Sequence, residues 1–546
     1  MSDSPKATLP ALFRPGDPTN RWKLWLLLTL NGRRRVYVYW KRLSCALAML
    51  AVIGWFAAAG TVWAYSIYKH GAEKMSYWNI AAPWRWDEHR KEVGQFYLAE
   101  APKELAKQDY FKALAYLKIG VTRIPEDLQG RELLAQGFAA FGRPDLGVKT
   151  LESGLTWGAE NLDYLKLLFG LLFQLQEDRQ ALEVAQRILP KAPDNQLPHL
   201  YAALQAATAQ YYRGDYDQAE QIVKRWDLER SGDGCILLAK MDWERGFQEV
   251  ALDRLERAVN RHGPTEPLLI QLIKCYREQG RYDKAREYAR LRRVSAPDGP
   301  GPNIDLIYSY CQENNQEAIA RETDAYLATY AKDHLALMMM AWMCVDTGNV
   351  TLAGKVQKVA VANGHPLNGF TFAVVQAHIT NQDYANALAS ADEALKSKKV
   401  KDKAEFDSML AGLQAVALFA SSKEQDGALQ LKSFLSQSNL RAVDAVLLAR
   451  QLERVNAIPA AREVLTHAAA KDYLNQMAWT DLVRLDAETN NRSGLVENLP
   501  KLIAMRKPSR AALEEALMVL DPVSDAALMQ QTRLALAATT RHLELN

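Results

Sequence analysis

Glu266–Gly299 reads EPLLIQLIKCYREQGRYDKAREYARLRRVSAPDG. Leu269, Leu272, Ile273 and Tyr276 recur every three or four residues, so they share one face of a helix. Gly280 follows; a residue without Cβ ends a helix easily and lets the chain turn back. Tyr282, Ala285 and Ala289 mark the stripe of a second helix, which Pro297 stops. Small Ala285 permits close approach of the two helices, and Tyr276 and Tyr282 fill the space around it. The window predicts a helical hairpin.

The same pattern recurs along the chain. Gly94–Asp127 repeats it with Tyr97, Ala101, Ala113 and Leu117, Leu128–Asn161 with Leu134, Phe138 and Leu151, and Leu162–Asn195 with Leu165, Leu172, Ala181 and Pro193. Windows from Leu200, Gly232, His334 and Asn368 carry it onward. Phe419, Leu452, Leu465 and Leu482 continue it less cleanly. Asn303–Asp333 fits poorly and reads as a shortened unit turning at Asn314-Asn315. Ser295–Asn303 is rich in Pro and Gly, so it reads as a loop and as the break between two halves of an array.

This pattern resembles the tetratricopeptide repeat. The Gly-x-Tyr-x-x-Ala turns at Gly214, Tyr216, Ala219 and at Gly280, Tyr282, Ala285 carry the resemblance. Arg292 departs from it, standing where an apolar or small residue is usual, which predicts a partly open seam there. The resemblance implies an all-α fold, an α-solenoid of stacked hairpins: an N-terminal array over 94–300, a C-terminal array over 301–510 and capping helices over 511–546. No single hairpin buries its own apolar face, so stacked neighbours must supply the core.

A second stretch stands apart. Leu43–Tyr68 is apolar throughout and carries no charge. As a helix it measures about 39 Å at about 1.5 Å per residue, longer than the hydrocarbon thickness of about 30 Å. Trp40 precedes it, and Trp63, Tyr65 and Tyr68 lie at its far end, where interfacial anchors sit. It reads as a single transmembrane helix. Ala57-Ala58-Ala59 looks like a signal-peptide cleavage site, but the preceding basic region is too long and the apolar run continues past it.

Net charge is +3, unevenly placed. Residues 1–42 hold nine Lys and Arg against Asp3 and Asp17, giving +7, so the remaining chain carries −4. The basic flank keeps residues 1–42 in the cytoplasm by the positive-inside rule and sends the array across, to the periplasm of a bacterium. Within the basic segment, Trp22–Leu30 is too short to span a bilayer and reads either as a helix on the membrane surface or as one packed on a neighbour. Residues 69–93, with Tyr77, Trp78, Trp84 and Trp86, read as an aromatic linker on the interface or as a cap on the first repeat. A mildly acidic array gives no electrostatic reason to expect nucleic acid.

Bond-making chemistry is absent from the motifs. There is no phosphate-binding loop, no HExxH and no GxSxG. The five cysteines form no CxxC pair, and Cys235, Cys275 and Cys344 sit on first helices as packing residues. His378 reads as a satisfied core histidine; Asp242 with Glu244 and Glu313 with Glu317 read as solvated faces. The expectation is a non-enzyme without metal, cofactor or small-molecule substrate.

In the tetratricopeptide family the first helices line a groove for peptides. Carried over by register, the resemblance points to Tyr211, Tyr212, Lys240, Trp243, Lys274, Arg277, Met338 and Trp342, each of which alternatively fills a gap between repeats. The leading expectation is an inner-membrane-anchored scaffold for protein–protein interaction in a cell-envelope or secretion machine. The alternatives are a periplasmic co-chaperone using Met338, Met339, Met340 and Met343 as a soft surface, and a non-catalytic organising subunit of a membrane synthase.

Overall fold

A computed structural model describes residues 24–30, 33–70, 75–396, 403–437, 440–506 and 508–540. The basic residues Lys6, Arg14, Arg21 and Lys23 lie outside them. The described chain falls into two compact units, Met1–Gly158 and Ala159–Asn546.

The first unit begins with a feature the helical reading of Trp22–Leu30 did not foresee. Trp25–Leu30 and Arg33–Val38 are antiparallel strands, with Trp25 opposite Val38 and Leu30 opposite Arg33. The Asn31-Gly32 dipeptide between two runs of β-formers is the sequence signal for such a pairing. The helix Trp40–His70 follows. Its apolar stretch, Trp40–Tyr68, has a mean hydropathy of 2.0 in its best window and is only 6% buried.

The aromatic segment then folds back along that helix. Trp55 donates its indole N–H to the Ala81 carbonyl (2.7 Å) and Trp63 to that of Met75 (3.0 Å). Tyr77 donates its hydroxyl to the Phe56 carbonyl (3.1 Å). Ile80 and Ala81 are buried against Ala59. The first hairpin starts already at Trp86, pairing Trp86–Ala106 with Tyr110–Arg123; a second pairs Leu128–Ala140 with Pro144–Glu152.

The second unit contains eleven hairpins among the described residues. First helices begin at Leu162, Leu197, Gly232, Glu266, Pro300, His334 and Asn368, a period of 34 or 35 residues, and then at Lys403, Ala442, Gln476 and Arg510. Ten of the eleven turns place one residue in the left-handed region. Gly214, Gly246, Gly280 and Gly348 take it, and so do Gln176, Asn314, Gln382, Ser422, Asn456 and Asn490. Every such turn is closed the same way: Arg281 N–H bonds to Tyr276 C=O (2.9 Å), and Asn315 N–H to Tyr310 C=O (3.0 Å). These are the six-to-one bonds of a Schellman motif, which satisfy carbonyls left open at the end of the first helix.

Three sequence expectations are corrected here. The unit expected to be short is full length: Pro300–Gln312 pairs with Gln316–Tyr330. Pro300 starts its first helix, where a missing N–H costs nothing, so the Pro- and Gly-rich run holds a helix start as well as a turn. The break expected near 300 is bridged by one core, in which Ile273 and Ala289 pack with Leu306 and Tyr310. The seam at Arg292 is closed by charge: its guanidinium is buried between Glu266 (2.5 Å) and Asp305.

Candidate protein-binding face

First helices of neighbouring hairpins pack on one another, and small residues set how closely. A Cβ added at Gly369 would lie 2.7 Å from Met338 Cε. Ala341, Ala373 and Ala377 are buried around it.

The helix His334–Thr347 has two contrasting faces. Leu337, Met340, Ala341 and Cys344 are buried in the hairpin core. Leu335, Met339 and Trp342 are exposed on the other side, spaced by four and three residues, and Asp346 continues the line. Neighbouring protein partly desolvates the exposed Asp346 carboxyl and raises it above its ordinary range, and the charge of Arg454 opposes the shift. Arg454 ends the first helix Ala442–Arg454, three hairpins further on. Two first helices so far apart in sequence therefore carry groups within electrostatic reach of each other. Ile270, Val443, Leu447 and Met477, all on first helices, are further exposed apolar residues.

The array also meets itself edge to edge. Arg506 donates to both carboxylate oxygens of Asp178 (2.9 and 3.1 Å from Nε) and to the Phe173 carbonyl (2.6 Å). Its guanidinium lies over the Tyr212 ring at 4.1 Å. Gln176, itself a left-handed turn residue, donates its side-chain amide to the Leu474 carbonyl. Burial pushes the Asp178 carboxyl up, against the pull of Arg506. Beside this seam a cavity of about 660 Å³ is lined by Arg179, Arg213, Tyr473, Trp479 and Lys501 among others.

The residues expected in the groove divide. Lys240, Lys274 and Trp342 are exposed on first helices. Tyr211 is buried, its ring 5.7 Å from Tyr216, and its hydroxyl donates to Glu244 Oε1 (2.6 Å). Tyr212 is held at the seam, between Arg506 and the edge of Phe173 at 5.6 Å. Arg277 pins the next hairpin, with Asp305 Oδ1 at 2.9 Å and the Tyr308 ring at 4.3 Å. Trp243 and Met338 pack against core clusters. The four methionines do not make one soft surface, because Met340 and Met343 face the core.

Polar groups read from sequence as solvated are mostly structural. Asp242 is buried against Arg254 (2.9 Å), Glu244 clasps Tyr211 and Tyr216, and Glu313 pairs with Arg286. His378 Nδ1 lies 3.1 Å from Asp383. Cys235, Cys275 and Cys344 are buried thiols. Among the described residues no group of three or more His, Cys, Asp or Glu is placed to hold a metal ion. Sequence reasoning missed Arg506, Asp178 and Gln176, because nothing local links residues about three hundred positions apart.

No family model matches the sequence, and no curated protein does. Solved structures resemble it at the level of fold. The Naa15/Naa10 complex bound to HypK-THB shares 14% identity over 90% of this chain and 75% of that one, with a TM-score of 0.30. The Cut9–Hcn1 hetero-tetramer shares 10% over 82% and 87%, with a TM-score of 0.29. The P58(IPK) TPR domain shares 13% over 75% and 98%, with a TM-score of 0.20. The chain's own hairpins, their period of 34 or 35 residues and their turns define its fold. The fold is a tetratricopeptide-type α-solenoid. Such an architecture is a scaffold suited to protein–protein contact.

Proposed function

We propose that the chain is an inner-membrane-anchored scaffold that grips another protein on the inner face of its array. The exposed line Leu335, Met339 and Trp342 carries this reading. Three large apolar side chains on one face, with Asp346 beside them, offer an anchor for an apolar segment of a partner, and aromatic anchors dominate such contacts. The helix Trp40–Tyr68 supports the membrane half, being long and apolar enough to cross a bilayer. Arg33–Arg35, Lys41 and Arg42 flank its N-terminal end and favour a cytoplasmic N-terminus with the array in the periplasm. The partner is then a component of a cell-envelope or secretion complex, and the scaffold makes and breaks no bonds itself. Tethering raises the effective concentration of the groove for membrane-bound partners.

The test is photocrosslinking in intact membranes from a reactive residue at position 342. The reading expects one or a few discrete envelope-protein adducts, reduced by Leu335→Ala with Met339→Ala. Adducts that form equally from an exposed residue on a second helix, such as Lys358, sink it.

A further inference from the structure

The first unit holds a cavity that the scaffold reading leaves unused. It has a volume of about 550 Å³ and lies beside the long apolar helix. One wall is apolar: Trp55, Ala58, Ala59 and Val62 from that helix, with Ile80 and Trp86 from the returning segment. The indole N–H groups of Trp55 and Trp86 are both spent on backbone carbonyls, of Ala81 and Ile80, so their rings present carbon surface to the cavity. The opposite rim is polar: Asp87, His89, Arg90 and Arg123.

Arg90 and Arg123 form no ion pair with any described residue, whereas Arg85 nearby is paired to Glu88. The rim therefore carries net positive charge, two arginines against Asp87. Nδ1 of His89 is buried and has no hydrogen-bond partner. A buried polar atom without a partner costs stability unless something bonds to it. Arginine forks match phosphate oxygens bidentately.

The position along the helix fits the same ligand. A hydrocarbon core of about 30 Å takes about 20 helical residues. Starting beyond Arg42, that stretch ends near Val62, so the wall from Trp55 to Val62 runs from within the outer leaflet to its headgroup level.

We propose that this cavity binds one anionic phospholipid, its acyl chains along Trp55, Ala58 and Val62 and its phosphate between Arg90 and Arg123, with His89 donating from Nδ1. This rests on the membrane-anchored reading. The lipid would fix the returning segment against the helix and so set how the first hairpin leaves the membrane.

The test uses the full chain in a neutral detergent, offered phosphatidylglycerol and phosphatidylcholine of equal chain length, with retained lipid counted by native mass spectrometry. One phosphatidylglycerol per chain is expected, in preference to phosphatidylcholine. The Arg90→Ala/Arg123→Ala variant should lower retention about tenfold, as loss of two basic contacts to an anionic headgroup implies. Ala58→Trp, which fills the apolar wall and keeps both arginines, should lower it too, while Arg143→Ala should not. Circular dichroism checks that each variant is folded. Equal retention of the two lipids, an unchanged double variant, or displacement by inorganic phosphate would overturn the proposal, the last because the site would then take a free anion. Flotation on phosphatidylcholine vesicles separates the two readings. A chain that floats without lipid preference overturns the site alone, and one that does not float overturns the anchor as well.

Discussion

Two helices in this chain are almost equally apolar and meet opposite fates. Trp40–His70 has 31 residues, and its apolar stretch leaves nearly every side chain exposed. His334–Thr347 has 14, packs seven of them into the hairpin core and exposes a single apolar line. Composition therefore does not decide the environment of a helix. Neighbours do: the shorter helix has partners before and behind it in the stack, while among the described residues the longer one packs on the short returning segment along part of one face. An all-round apolar surface requires an apolar solvent, and a single exposed stripe requires only one partner.

That contrast can be broken first by truncation. Met340→Ala removes a fully buried side chain and should cost about 2–5 kcal/mol in chemical denaturation. Leu47→Ala, on an exposed face of the long helix, should cost less than about 0.5 kcal/mol. Equal losses would mean that the long helix is packed in a protein core.

A charge sharpens the same contrast. Ile53 and Met339 are both exposed apolar residues. In a bilayer Ile53→Arg should cost about 3 kcal/mol of insertion, read as loss of the chain from the membrane fraction. Met339→Arg should leave folding within about 0.5 kcal/mol and instead abolish the position-342 crosslink. If Ile53→Arg is silent in fractionation, the helix does not span.

The edge-to-edge seam asks how far the shorter helix's stripe is enclosed. Arg506→Ala leaves Asp178 buried without its partner and should weaken the seam by about 1–3 kcal/mol. Hydrogen exchange should then quicken at residues 474–476 and leave the hairpin at 266–295 unchanged. Acid should act in the other direction. The Asp178 carboxyl is raised by burial, so the closed seam holds its proton more tightly than an open one. Through Asp178, the seam gains stability as pH falls through the raised value toward the ordinary carboxylate range, and loses it as pH rises back. Faster exchange at 474–476 on mild acidification would contradict that.

Hairpins were legible because each repeats a local rule. Leu269, Leu272 and Ile273 announce a face, and Gly280 announces the turn. The unit at 300–330 looked short because its first helix begins at Pro300, inside the run read as a loop; its turn at Asn314-Asn315 was legible, since Asn tolerates the left-handed region. Groove residues were read less well. Register placed Tyr211 and Arg277 on first helices, but Glu244 and Asp305 each come from the next hairpin and take their polar ends. The apolar line at Leu335, Met339 and Trp342 was present as the complement of the core positions. The seam had no local trace, because its partners lie about three hundred residues apart.

The smallest effect concerns why the shorter helix stops. The longer one runs through Gly54 and Gly60 without ending, so glycine alone is not a terminator. Gly348 ends His334–Thr347 because it sits at φ +63°, with its N–H on the Val345 carbonyl and that of Asn349 on Cys344. Gly348→Ala should cost about 1–2 kcal/mol, the penalty of a side chain in the left-handed region. One hairpin later Gln382 occupies the same slot at φ +58° and already bears part of that penalty. Gln382→Gly should therefore be neutral or stabilise by up to about 1 kcal/mol, since the gain in the turn is offset by the extra freedom of glycine in the unfolded chain. Gln176→Gly should lack that gain, because the Gln176 amide is bonded to Leu474. If the two glutamines respond alike in denaturation, the seam contributes nothing measurable to the closed array.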